Sequence, residues 1–310
     1  MYTCIICKEN KELTDEHIVP EFLGGGLITK SVCKICNDKM GNTFEGRLSN
    51  CEIFSLPNFI NQVKGKSGKI PNPLAGNKRT KEGEKVRVEF IDNKFKIKKH
   101  PEISIEETEE GDLFSLSIDP SDYGQAEKII KAKIDRHYPN MPIDHRQKLS
   151  KKLHKDLLNS QIIESSPPII HGSFTIDFKD IRFLFAKIAY EIGFFHFGYD
   201  FIKEPIADRL RKTLFTQEDK DIQVTLYPKI EPLSDLFQDK KHYIYLFRNF
   251  CYVKLYDITA IVIISELHST FDINSEYSII YEFSYTDKTY VKRSLREHVD
   301  YLNMLSVQIV

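Results

Sequence analysis

The chain has 310 residues, 41% of them hydrophobic and 29% charged, with 44 Lys and Arg against 45 Asp and Glu for a net charge of −1. That apolar content suffices for one or two packed cores, and the even balance excludes a uniformly basic coat. No stretch approaches the roughly 18 unbroken apolar residues of a membrane span, and Met1 is followed so closely by Cys4 that no secretory leader fits before it. No membrane partner and a cytoplasmic location are therefore expected.

The densest pattern comes first. Cys4 and Cys7 form one Cys-x-x-Cys pair and Cys33 and Cys36 a second, with 25 residues between Cys7 and Cys33. Each pair bends into a knuckle that aims two thiolates at one point, and two knuckles supply the four sulfur ligands of a structural Zn²⁺. A redox dithiol and unrelated buried thiols are the competing readings. The separation exceeds that of a simple zinc ribbon, and the insert accounts for it. A strand ends at Glu16, His17, Ile18 and Val19, Pro20 stops it, and Gly24, Gly25 and Gly26 turn the chain back. A second strand over 27–32 returns to the other knuckle, after which Asn37, Asp38, Lys39 and Met40 suit the first turn of a helix. The predicted unit is β-β-α, clamped by metal because so short a segment buries little core. Cys51 and Cys251 are left over, and thiols at metal spacing suit a reducing compartment better than a disulfide framework.

Inside the insert a carboxylate adjoins a histidine. Neighbouring strand residues face opposite ways, so Glu16 can hold a cation on one side while His17 addresses a water on the other. Phosphodiester hydrolysis needs such a base and such a cation. An isolated Asp-Glu-His run is usually a solvated turn; the knuckles, glycine loop and Asn37 around it point to chemistry. Asp15 is the reserve carboxylate. Lys39 is a candidate phosphate contact, against the plainer reading of a solvated helix lysine.

The run Asp15-Glu16-His17-Ile18-Val19-Pro20, the glycines at 24–26 and Val32-Cys33-Lys34-Ile35-Cys36-Asn37 together resemble the HNH endonucleases that carry two zinc knuckles. The resemblance is confined to the N-terminal finger. It implies a ββα-metal fold, phosphodiester hydrolysis and one divalent metal, Mg²⁺ or Mn²⁺, with His17 as general base and Glu16 and Asn37 as metal ligands. Many members of the family have Asp at the place of Glu16 and His at that of Asn37, and both residues here keep an oxygen donor for a hard cation. The family's middle asparagine falls near Thr29-Lys30-Ser31, so its orienting task passes to Ser31 or a backbone carbonyl.

Charge is segregated further along. From Asn61 to His100 there are twelve Lys and Arg against four Asp and Glu, and from Pro101 to Asp122 eight acidic residues stand unopposed. In the basic run Val86, Val88 and Phe90 alternate, Asp92-Asn93 supplies a turn, and Phe95 and Ile97 alternate again. Such a hairpin would show Lys94, Lys96 and Lys98 on one face as a phosphate-tracking surface. An ordinary solvated hairpin paired with the acidic run is the alternative.

Beyond Ser121 two apolar helical stripes appear, Ala126, Ile129, Ile130 and Ile134, then Leu149, Leu153, Leu157 and Leu158. Pro167-Pro168 breaks the pattern and a strand is expected over 169–176. Residues 178–197 are apolar nearly all round and read as a buried helix stopped by Gly198, with His196 a packed or capping residue. A short helix over 206–214 precedes alternating runs at 222–227, 243–247, 251–256, 258–264 and 277–283, expected to form an antiparallel sheet over that helix.

The predicted class is α+β: a zinc-stapled ββα finger over 1–60, a charged hairpin region over 61–120 and a C-terminal α+β domain over 121–310. The expected activity is metal-dependent cleavage of nucleic acid, DNA foremost, in microbial defence by family analogy. The C-terminal domain could serve an oligomer, a regulatory protein or a ligand. A zinc-finger module that binds nucleic acid or protein without cutting is the competing function.

Overall fold

The structure, a computed structural model, describes residues 2–65, 67–91, 94–109, 111–160, 170–171, 175–219, 222–227, 237–266 and 278–307. The expected Asp92-Asn93 turn and the Pro167-Pro168 break lie outside the described residues, as do Glu110 and Tyr277.

The chain opens with a two-residue hairpin, β1 (Tyr2–Thr3) and β2 (Asn10–Lys11), which closes the first knuckle. Next, β3 (Leu13–His17) pairs antiparallel with β4 (Ile28–Cys33), Leu13 opposite Cys33 and His17 opposite Ile28, with a bulge between Thr14 and Glu16. Helix α1 (Lys34–Met40) follows at once, one turn earlier than the sequence suggested, and helical turns run on through Gly41–Glu45 into α2 (Gly46–Asn50) and α3 (Glu52–Ile60).

Residues 74–173 are a compact unit of their own. Strands β5 (Gly76–Thr80), β6 (Lys85–Ile91) and β7 (Lys94–Lys99) form an antiparallel sheet, with Val86 and Val88 buried as their alternation requires. The acidic run is structured too: β8 (Glu102–Thr108) and β9 (Gly111–Ser117) form a hairpin, the high charge having masked the alternation of Ile103 and Ile105 with polar residues. Its apolar side packs on α4 (Ala126–His137) and α5 (Ile143–Leu158), where Ile103, Ala126, Ile130, Ile134 and Leu157 make a small core. Leu158, expected inside, is exposed because it lies off the Leu149–Leu153–Leu157 stripe. Of the expected 169–176 strand, Ile169 and residues 172–174 lie outside the described residues, and β10 (Ile170–His171) pairs antiparallel with β5, returning the chain beside its point of entry.

The other unit joins residues 1–73 to 174–310. Helix α6 (Phe178–Phe197) begins on an Asp177 cap and ends at Gly198, whose φ of 70° suits glycine. It is buried over most of its length, with Phe178 and Phe195 exposed at its ends. After α7 (Pro205–Thr216), six strands form one antiparallel sheet: β11 (Val224–Tyr227), β12 (Lys241–Leu246), β13 (Phe250–Leu255), β14 (Ile258–Ile263), β15 (Ile279–Ser284) and β16 (Thr289–Ser294), in the order β11-β14-β13-β12-β15-β16. Alternation sorts its two faces. Ile244, Leu246, Val253, Leu255, Tyr281 and Phe283 join the core that holds α6, whereas Tyr243, Tyr245, Tyr252 and Ile280 turn to the other face, where Leu295 and Val299 of α8 (Leu295–Val307) cover them.

The main core also contains Cys4, Ile5, Ile18, Leu23, Phe44 and Phe54. The finger and the C-terminal sheet therefore share one apolar interior, and the divisions expected at 60 and 120 give way to an insertion, 74–173, within a single continuous unit. No helix among the described residues is long and apolar enough to cross a membrane.

Candidate metal centre and catalytic strand

The four knuckle cysteines converge. Their sulfurs all lie within 4.8 Å of one another, and Cys7 Sγ is 3.9 Å from Cys33 Sγ. Tetrahedral ligands about 2.3 Å from one ion sit roughly 3.8 Å apart, so this quartet can hold a metal ion. Among the described residues it is the sole group of three or more Cys, His, Asp or Glu at ligand spacing. Backbone hydrogen bonds shape it: Cys4 N–H donates to Glu9 O at 3.0 Å, Ile5 N–H to Ser31 O at 3.0 Å, and Cys33 N–H to Cys4 Sγ at 3.3 Å. The Cys36 thiol and the N–H groups around it hold Cys4 down to about 4 against the opposing effect of burial, so a thiolate forms readily there.

His17 ends β3, half-buried, and its Nδ1 lies 3.0 Å from the carbonyl oxygen of Gly25. A carbonyl only accepts, so Nδ1 carries a proton, and in the neutral ring Nε2 keeps its lone pair. Nε2 has no hydrogen-bonding partner among the described residues. The glycine loop makes this contact possible. A Cβ on Gly25 would lie 1.8 Å from Val19 O, and one on Gly26 would lie 1.9 Å from Lys288 O, so only glycines let the loop close behind His17 and against the β15–β16 turn. Of the two groups expected in place of the family's asparagine, it is a backbone carbonyl that lies on the His17 ring. Ser31 is instead buried, 3.1 Å from Thr29 Oγ1.

Asn37, on α1, donates its amide to Thr14 Oγ1 at 3.2 Å and to Asp15 O at 3.0 Å, fastening the helix to the hairpin. With the nitrogen so engaged, Oδ1 is left as a free acceptor. Glu16 does not lie open to solvent as an available ligand. It is buried, and its Oε1 is 2.6 Å from Lys187 Nζ of α6. Asp15, at the bulge, is the exposed carboxylate of β3, 3.6 Å from Lys30 Nζ. Asn37 Oδ1 and the exposed Asp15 carboxylate are oxygen donors of the kind a hard divalent cation takes. Mg²⁺ is commonly bound that way, with substrate phosphate and water completing its shell.

The lysines divide. Lys39 donates to the carbonyl of Phe215 and its ammonium lies 5.2 Å from the Phe215 ring, so it ties α1 to α7 rather than facing a phosphate. In β7, Lys98 is paired with Glu89 at 2.9 Å, whereas Lys94 and Lys96 are exposed and make no ion pair among the described residues. The ion pairs of the basic strands run inside their own sheet, Arg87 and Lys98 to Glu89 and Lys99 to Glu84.

Sequence reasoning missed the groups behind the finger. Tyr190 donates to Ile5 O at 2.8 Å, Arg211 to Ile6 O at 2.9 Å, and Lys8 pairs with Asp208 at 2.8 Å. Arg47 pairs with the buried Asp180, and His242 Nε2 lies 3.0 Å from Leu23 O. One sequence signal exists for the most central of them: Lys187 and Glu191, four residues apart, are the two charges within the otherwise apolar run 183–195.

No curated protein and no solved structure matches the chain. Residues 4–51, from the first knuckle cysteine to the start of α3, match the family model described as HNH endonuclease.

Proposed function

We propose that the chain is a metal-dependent endonuclease that hydrolyses phosphodiester bonds of DNA, with His17 as the general base. The observation that carries this reading is the Gly25 carbonyl on Nδ1, which in the neutral ring leaves the Nε2 lone pair, without a partner among the described residues, to take a proton from water. Cys4, Cys7, Cys33 and Cys36 hold a structural Zn²⁺ that keeps hairpin and helix in register. Asn37 Oδ1 and a β3 carboxylate would hold Mg²⁺ or Mn²⁺. Glu16 is the carboxylate that the family resemblance assigns, and Asp15 is the one facing solvent. That ion would neutralise charge building on the phosphate oxygens and the leaving 3′ oxygen. Lys94 and Lys96 offer phosphate contacts. The reading extends to a cytoplasmic role in microbial defence on the finger's family analogy.

Plasmid nicking with added Mg²⁺ or Mn²⁺ tests the proposal. His17→Ala should lower the cleavage rate by about 10²–10⁴-fold while DNA affinity stays near wild type, and the products should carry 5′-phosphate and 3′-hydroxyl ends that ligase rejoins. Wild-type-like cutting by His17→Ala would place the base elsewhere. A wild-type protein that binds DNA and cuts under no divalent metal would favour the non-catalytic zinc-finger module.

A further inference from the structure

Behind the catalytic strand, the buried face of α6 presents one cation. Lys187 is fully buried, and its Nζ lies 2.6 Å from Glu16 Oε1, 3.0 Å from Glu191 Oε2 and 3.6 Å from Glu45 Oε1. It also donates to two backbone carbonyls, that of His17 and that of Ile18, the latter at 3.2 Å. These belong to the last residue of β3 and the first beyond it, where the chain leaves the hairpin for Pro20.

A lysine enters an apolar interior only if the surrounding oxygens replace its water. Here burial works against the charge, and Glu16, Glu191 and Glu45 outweigh it, raising Lys187 above its ordinary range. Burial pushes Glu45 up and Glu191 well above the usual carboxylate range, which limits the negative charge facing the ammonium. The geometry of the ammonium is fixed from three elements at once, by Glu16 of β3, Glu45 at the end of the helical turns and Glu191 of α6 itself.

We infer that Lys187 is a positioning residue for the nuclease centre: by holding the carbonyls of His17 and Ile18 and the carboxylate of Glu16, it fixes the end of β3 and hence the aim of the His17 imidazole. Lys187 touches no substrate; it acts through His17. The inference rests on the assignment of His17 as base and explains why a C-terminal helix is fused to the finger's interior. On one side the Gly25 carbonyl sets the ring's tautomer, and on the other Lys187 sets the backbone from which the ring projects.

Three variants of the full chain test it: Lys187→Met, Lys187→Met with Glu191→Gln, and Glu191→Gln alone. The double variant removes the cation without leaving Glu191 as an uncompensated buried charge. With zinc content and melting retained, loss of Lys187 should lower kcat about 10²-fold while KM for a DNA duplex changes little, as misaimed groups do; Glu191→Gln should stay near wild type. In zinc-loaded protein without added Mg²⁺ or Mn²⁺, at fixed alkaline pH, the His17 ring ¹⁵N shifts should move from the Nδ1–H pattern toward a tautomer mixture. A folded, zinc-loaded double variant with wild-type kcat and wild-type ring shifts would overturn the inference. Should the Met variants not fold, the wild type decides: its Lys187 ¹⁵Nζ signal should exchange slowly and show NOEs to His17 and Ile18, and absence of both overturns the assignment. If the wild type cuts nothing but His17's shifts respond to Lys187, the nuclease reading fails and the positioning stands.

Discussion

The two units treat charge differently. In residues 1–73 and 174–310, beside exposed pairs such as Lys34 with Asp38, several carboxylates are drawn inside and paired: Glu16 with Lys187, Asp180 with Arg47, and Glu282 with Lys241 and Arg293. In residues 74–173 the charges lie on the surfaces of a thin sheet and a hairpin around a small core. A buried pair cannot be screened by salt and is lost only by breaking its geometry. An exposed cluster is worth little to stability, responds to salt and suits transient contact with a polyanion. The first unit is thus constructed to hold a site still, and the insertion to offer a charged surface.

The largest expected effect falls on the first unit. Cys4→Ser with Cys33→Ser removes two of four thiolates, and a structural zinc site contributes about 10–16 kcal/mol of binding free energy in small fingers. Because Cys4 and Cys33 belong to the core shared with α6 and the sheet, the loss should spread through that unit while residues 74–173 stay folded. Elemental analysis and limited proteolysis read both outcomes. Zinc retained by the variant, or an intact C-terminal sheet after zinc is lost, would separate the finger's stability from that of the core it shares.

What was legible in the sequence follows from range. Periodicity is local, so α6, the β6–β7 hairpin and five strands of the large sheet stand near their expected positions. The knuckle quartet is legible because metal ligation restricts residue types at short spacing, and His17 and Asn37 lie within the segment that the family model matches. Lys187 is 170 residues from His17 and His242 is 219 from Leu23, and no local pattern says which strand end a distant side chain will hold. The same blindness set Glu16 facing a metal, since alternation gives a side but not what waits there. The acidic hairpin was hidden for a different reason, its glutamates outweighing a weak apolar alternation.

A smaller effect is expected in the insertion. Reversing Lys94 and Lys96 to Glu should weaken DNA binding and flatten its dependence on salt, each lost phosphate contact lowering the slope by about one, with melting temperature and zinc content unchanged. Lys98→Glu should instead lower the stability of the sheet, because it places a second carboxylate against Glu89. Equal effects of all three on DNA affinity would mean that the Glu89 pair opens in solution. No effect of any would remove the surface from the binding account.

The smallest effect distinguishes the interior by pH rather than salt. His242 is buried between the rings of Tyr256 and Tyr285, each centred 4.7 Å away; Nε2–H donates to Leu23 O, and Nδ1 accepts from Tyr256 N–H at 3.3 Å. Both nitrogens are used by the neutral ring, so protonation would set an N–H against an N–H. Burial lowers His242 to about 3, with Lys254 adding to that and the Leu23 carbonyl opposing it. The unfolded chain takes up this proton near 6.5 and the folded one does not. Stability is therefore unaffected by this group above pH 6.5 and falls as pH drops toward 3, by at most about 1.4 kcal/mol per pH unit. His196 is lowered to about 4 by burial and adds the same sign, so the measurement is a difference. His242→Gln keeps an amide donor for Leu23 and no longer titrates, so its stability deficit against wild type should shrink as pH falls between about pH 6.5 and 4.5. It should do so equally at low and high salt. A deficit constant across that range would mean that His242 is hydrated and the seam between finger and sheet is open at that point.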